Sequence, residues 1–190
     1  MIQGVSHAMA PAYDEQKTTE AASLLLAKCE GTMRYILLLK LLYLVDRKAW
    51  QLWERPLTFD SYYSLPQGPV VSTTYNIIKD EAPGRGEIWR KHIERVGRYR
   101  VRLKKMPAIR RLSQAEVDLL NAVYAEHAPR LGWRLVDFTH TLPEYEDPQG
   151  SSLPIPLSKL LRVLSFTDDD VSRIRRELRD EAEVDAILGV

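Results

Sequence analysis

Two polar side chains of this sequence stand where acid–base chemistry could occur. Asp46 lies three residues after Tyr43 and four before Trp50, so in a helix its carboxylate shares a face with two aromatic rings. His140 precedes an acidic, proline-bounded loop at 144–147. An enzyme would need Asp46 and His140 in one pocket. Each also has a structural interpretation: Asp46 could bind a neighbouring backbone or a buried tyrosine, and His140 could cap the end of its helix.

Other signatures of catalysis or metal binding are absent from the sequence. The four histidines and the single cysteine, Cys29, lie far apart, without the spacing of metal ligands. There is no GxSxG elbow, no Walker loop and no GxGxxG fingerprint. We therefore predict no catalytic residues, no cofactor and no metal, and a protein that is not an enzyme.

The bulk composition is that of an ordinary soluble domain. The chain has 190 residues, of which 45% are hydrophobic and 28% charged. One cysteine excludes an internal disulfide and suits a reducing compartment, so we expect a cytoplasmic protein. Residues 1–17 lack the basic start and apolar core of a signal peptide, and we expect them to form a flexible tail before a domain at 18–190.

Charge is spread unevenly along the chain. Residues 85–111 contain eleven Lys or Arg against two Asp or Glu, and residues 112–190 contain eight against fifteen. Basic side chains alternate with Tyr, Val and Leu in 98–104, which is typical of a half-buried strand. The candidate basic surface comprises Arg98, Arg100, Arg102 and Lys104. It could bind nucleic acid, remain solvated, or pair with the acidic C-terminal third.

The stretch Met33–Trp53 organises the predicted fold. It contains no Gly or Pro and is apolar almost all round, which predicts a buried central helix with one exposed strip at Lys40, Arg47, Gln51 and Glu54. Its charges interrupt every long apolar run, so we expect no membrane span. The predicted fold class is mainly α: a compact helical domain around this helix, with a small β-hairpin.

Flanking elements follow from local signals. We predict one helix from Thr18 or Thr19 to Gly31, and another at 73–79 capped by Ser72. Strands at 88–95 and 98–104 would form the hairpin. A capping box at 113–116 predicts a helix running to about His127. Three further helices are expected at 132–141, at 157–164 and from 167 onward.

Between the central helix and Ser72 the sequence favours an extended run with a rigid turn. Tyr62 and Tyr63 lead into Pro66-Gln67-Gly68-Pro69, which carries two prolines and a glycine. These residues could serve only to form the turn. A rigid turn that presents tyrosines would also suit protein binding, because its ordering cost is already low.

Four segments together resemble a known family. They are KLLYLVDR at 40–47, PLTFDSY at 56–62, LPQGPV at 65–70 and LVDFTH at 135–140. Their order and spacing resemble the Panacea antitoxin domain, which includes the SocA-type proteolytic adaptor. The motif positions, which we take as candidates for partner binding or for the family motif, are Tyr43, Asp46, Arg47, Tyr62, Tyr63, Pro66, Gln67, Gly68, Pro69 and His140. Gln67 departs from the family pattern, which usually has an aromatic residue there, and Tyr145 stands where a tryptophan is usual.

The resemblance implies a non-enzymatic, mostly helical antitoxin of a bacterial or phage toxin–antitoxin system. Such a domain neutralises a cognate toxin, encoded nearby, by direct protein contact. The SocA-type member instead delivers its toxin to a Clp protease. The alternative from the residues themselves is a nucleic-acid-binding regulator that uses the basic segment 85–111.

Overall fold

The described part of the chain, residues 12–188 of this computed structural model, contains eight α-helices and six short strands. The helices are α1 Glu15–Ala27, α2 Tyr35–Trp53, α3 Ser72–Ile78, α4 Glu87–His92, α5 Gln114–His127, α6 Trp133–His140, α7 Leu157–Val163 and α8 Asp168–Leu188. The strands are β1 Thr32–Arg34, β2 Tyr62–Leu65, β3 Gly68–Val71, β4 Ile93–Val96, β5 Arg100–Leu103 and β6 Leu153–Pro154. The fold is mainly α, as predicted.

The strands form two sheets rather than the one small hairpin that the sequence predicted. β5 lies between β1 and β4 in the first sheet, and β2 lies between β3 and β6 in the second. All pairings are antiparallel. The predicted hairpin exists as β4–β5, but β1 adds a third strand that the sequence pattern had assigned to the central helix.

Helix α2 has twelve buried residues among its nineteen. It begins at Tyr35 instead of Met33, because 32–34 pair with β5. It ends at Trp53, and the next residue, Glu54, has a left-handed φ of 55° that turns the chain toward Pro56. Lys40, predicted on the exposed strip, is 0% exposed.

Helix α2 packs against β3, α5, α1 and α6, so it contacts elements from several parts of the chain. Its apolar side chains join those of α1, α5, α7 and α8 in one hydrophobic cluster. None of the helices in residues 12–188 combines the length and hydrophobicity that crossing a bilayer requires.

Two helices are capped by carboxylates that are distant in sequence. The stretch 88–95, predicted to be a strand, instead begins with α4, where Glu15 accepts hydrogen bonds from the N–H groups of Gly86, Ile88 and Trp89. The start of α3 is capped by Asp60, which accepts from two of its backbone N–H groups, so the predicted cap at Ser72 is wrong.

Other predicted boundaries agree with the structure. The capping box between Ser113 and Glu116 is present, and α5 ends at His127 as predicted. Helices α6 and α7 lie within one residue of their predicted ends. Helix α1 differs from its prediction at both ends: it starts at Glu15, capped by Asp14, instead of at Thr18 or Thr19, and it ends at Ala27, four residues before Gly31. The last three residues of the predicted tail are therefore helical, while residues 1–11 of that tail lie outside the described part.

Candidate functional site

The first motif carboxylate, Asp46, fastens the loop after α2 to the helix. Its side chain accepts hydrogen bonds from the N–H groups of Leu57 (2.8 Å) and Thr58 (3.0 Å). The hydroxyls of Thr58 and Tyr62 also donate to it, and Trp50 Nε1 donates to Tyr62 at 3.1 Å. Burial raises the pKa of Asp46 to about 6, against the opposing effect of these hydrogen bonds. The structural interpretation of Asp46 is confirmed.

A second buried carboxylate, Glu144, joins α2 to the loop after α6. Tyr43 donates to Glu144 Oε1 at 2.7 Å, and Arg47 Nε donates to the same oxygen at 2.8 Å. Glu144 is 0% exposed, so the half-buried arginine neutralises a charge that would be costly alone. Burial raises the pKa of Tyr43 well above its ordinary value, and the charge of Glu144 raises it further.

Lys40 places a third polar contact on the same helix. Its Nζ donates to Thr139 Oγ1 at 2.8 Å, and burial lowers its pKa to about 7. The turn between β2 and β3 lies directly on this pair. Gly68 has a φ of 97°, and a Cβ atom there would lie 2.5 Å from Lys40 Nζ and 2.7 Å from Thr139 Oγ1. Only glycine fits this close approach without displacing its neighbours.

His140 also lies beneath the turn between β2 and β3. Its ring stacks on Tyr145 with 4.7 Å between centroids, and the end of α6 is formed by Thr141 instead of an imidazole cap. A Cβ on Gly68 would lie 3.0 Å from His140 Cδ2. Among the described residues, His140 and Asp46 share no hydrogen-bond partner. The structure therefore does not join them in an acid–base pair.

The exposed part of the turn is smaller than the sequence suggested. Tyr62 and Tyr63 are each only 6% exposed, so the expectation that the turn presents both tyrosines is wrong. They lie in β2, which has a strand on each side. Gly68 and Pro69 are also buried. We define the turn surface as the exposed Pro66 and Gln67 with the half-buried His140 and Tyr145 beside them.

The candidate basic surface lies on the other sheet. Arg98, Arg100, Arg102 and Lys104 are all exposed. Arg102 forms an ion pair with Glu94, and Lys104 donates to the carbonyl of Arg90. Within residues 12–188 no ion pair joins segment 85–111 to the acidic C-terminal third. The described residues also contain no group of three or more His, Cys, Asp or Glu that could hold a metal ion.

Sequence reasoning missed three members of this site: Lys40, Thr139 and Glu144. A lysine inside an almost wholly apolar helix was a usable signal for Lys40. Nothing local separates Glu144 from its exposed acidic neighbours Glu146 and Asp147, because its burial depends on contacts with α2 about a hundred residues earlier.

A comparison with known families gave a match that covers this network. The family model described as the antitoxin SocA-like Panacea domain matches residues 38–145, more than half of the chain. The match contains every side chain of the network, from Lys40 to Tyr145. No curated protein and no solved structure gave a match. The chain therefore belongs to the SocA-like Panacea domain family of antitoxins.

Proposed function

We propose that this protein neutralises a toxin by binding it directly, without catalysis, and that the turn surface is the contact. One observation carries the proposal: three separate polar contacts from α2 hold the turn and the chain around it. Lys40 lies under Gly68, Arg47 and Tyr43 hold Glu144 beside Tyr145, and Asp46 holds the chain that enters β2.

This arrangement makes the turn a preorganised surface. Leu65 pairs with Gly68, so Pro66 and Gln67 form a two-residue turn between hydrogen-bonded strands. Proline restricts the backbone further. A partner that binds here would pay little to order the loop, and that cost commonly limits the affinity of protein–protein contacts.

Two modes of neutralisation follow from the family. In the first, the toxin stays intact but is blocked by the bound antitoxin. In the second, the protein is an adaptor that delivers the toxin to a Clp-type protease. Both require a direct contact with the toxin, in the cytoplasm where such proteases work. We favour sequestration as the simpler mode, because it needs one interface only.

The test compares two identical substitutions at exposed glutamines. Gln67→Arg places a long cation in the turn surface, whereas Gln51→Arg places one on the exposed side of α2. The protein encoded beside this chain would be expressed as toxin, with each variant, and growth and co-purification measured. We expect Gln67→Arg to weaken binding by roughly tenfold or more and to lose rescue, because the arginine disrupts a packed interface. Gln51→Arg should rescue as the unchanged chain does.

The result also separates the modes. Rescue with both proteins recovered together supports sequestration, and rescue with loss of the toxin in protease-containing cells supports delivery. If Gln67→Arg and Gln51→Arg rescue equally well, the turn surface is not the contact.

A further inference from the structure

We propose that the outer face of the first sheet binds single-stranded nucleic acid, a function separate from the neutralisation of a toxin. The face comprises Arg34 on β1, Arg98 and Tyr99 in the β4–β5 turn, Arg100 on β5, and Trp133 at the start of α6. We call it the arginine–aromatic face. All five residues are exposed.

Two arginines of this face oppose each other across the sheet. The register places Arg34 directly opposite Arg100. Side chains in such a pair have Cβ atoms only about 5 Å apart, and like charges there repel. Neither arginine has a carboxylate partner among the described residues, whereas the adjacent Arg102 is neutralised by Glu94. A bound anion would relieve the repulsion between Arg34 and Arg100.

The surrounding segment adds cations that also lack acidic partners. Of the eleven Lys and Arg in 85–111, four form ion pairs within the described part of the chain: Arg90, Lys91, Arg102 and Arg111. The other seven do not. The acidic helix α8 does not neutralise them, since its ion pairs go to Arg55, Arg162 and its own Arg173. Cations that lack acidic partners raise the local positive potential and attract a polyanion.

Exposed aromatic rings lie beside these cations. Tyr99 is 51% exposed and Trp133 is 60% exposed. The guanidinium of Arg98 lies 5.1 Å from the Tyr99 ring centre, and that of Arg34 lies 5.5 Å from the Trp133 ring. The backbone N–H of Tyr35 donates to the carbonyl of Tyr99, which holds the turn next to β1. Rings with neighbouring cations are the stacking platforms of single-strand-binding proteins.

The composition of the face favours nucleic acid over an acidic protein. Protein interfaces are enriched in Arg, Tyr and Trp as well, but their centres are otherwise depleted of charge, whereas a nucleic acid is recognised by cations that lack acidic partners. Here the centre of the face is two unneutralised arginines. The rings favour a single strand over a duplex, because bases inside a duplex are already stacked on each other and cannot stack on Tyr99 or Trp133.

Fluorescence anisotropy with labelled oligo-dT, oligo-U and a duplex of the same length would test the proposal. One phosphate contact for each of the three arginines of the face predicts that single-strand affinity falls by about 20-fold between 50 and 200 mM salt. Arg98→Glu/Arg100→Glu should reduce affinity at least about tenfold. The matched control, Arg175→Glu/Arg176→Glu on α8, changes net charge equally at exposed positions and should leave affinity unchanged.

Trp133→Ala separates stacking from charge alone. We expect it to lower single-strand affinity by about tenfold and to leave any duplex binding unaltered. The proposal is overturned if the unchanged protein binds neither oligonucleotide at 50 mM salt. It is also overturned if the α8 control weakens binding as much as Arg98→Glu/Arg100→Glu does, or if Trp133→Ala has no effect.

Discussion

Replacing Lys40 with methionine should remove a pH dependence from the stability of this protein. Lys40 is 0% exposed, and burial lowers its pKa from 10.5 to about 7. Between these values the unfolded chain carries a proton that the folded protein lacks, so the free energy of unfolding rises with pH. The cost of burying the ionisable amine is about 4 kcal/mol at pH 7 and about 2 kcal/mol at pH 9. Because this penalty shrinks, the free energy of unfolding should rise by about 2 kcal/mol between pH 7 and pH 9.

The measurement is urea unfolding at pH 7, 8 and 9, followed by circular dichroism. Lys40→Met keeps the buried stem but has no titrating group, so its stability should lack the rise of about 2 kcal/mol and should match or exceed that of the unchanged protein at pH 7. Lys48→Met, at an exposed position of the same helix, should retain the rise. Equal pH slopes for Lys40→Met and the unchanged protein would refute the assignment of a buried, largely neutral amine.

Two further substitutions test the network under the turn, each by the free energy of unfolding in urea. Gly68→Ala should cost at least about 1 kcal/mol more than Gly84→Ala: both positions have positive φ, but only at Gly68 would the new Cβ clash, with Lys40 among its neighbours. Equal costs would show that the turn does not pack on Lys40. Asp46→Ala should cost about 3 kcal/mol, because two backbone N–H groups lose their buried acceptor, whereas Asp137→Ala at an exposed position should cost little. A cost for Asp46→Ala near that of the control would contradict the fastening role of its carboxylate.

Sequence reasoning succeeded where the signal was local. The capping box joins Ser113 and Glu116, three residues apart, and both hydrogen bonds form in the structure. The start of α7 was also predicted from a local signal, because the helix begins directly after Pro156. The family resemblance was recognisable because each motif segment is a continuous run of six to eight residues.

The errors arise where a distant side chain decides local structure. The stretch 88–95 was predicted to be the strand that pairs with 98–104, yet only 93–95 of it lie in β4. Its first part is helix α4, whose start is capped by Glu15, about seventy residues earlier. Asp60 replaces Ser72 as the cap of α3 for the same reason. Helical periodicity also placed Lys40 on the exposed strip, because periodicity cannot tell whether another element, here α6, covers that strip.

The site was predicted in part. Asp46 was predicted to bind either a neighbouring backbone or a buried tyrosine. The structure shows both kinds of donor, and the tyrosine is Tyr62. The exposure of Tyr62 and Tyr63 was wrong, because the pairing of β2 with β6 joins residues about ninety positions apart and covers the strand. No local sequence pattern predicts a strand of only two residues such as β6.

Co-purification of this protein with the toxin encoded beside it, from cells whose growth it restores, tests the central claim most directly. Sequestration through the turn surface predicts a stable complex that is recovered with the unchanged chain and with Gln51→Arg, and that is lost with Gln67→Arg together with growth. Restored growth with intact toxin and no recoverable complex would contradict direct binding as the means of neutralisation.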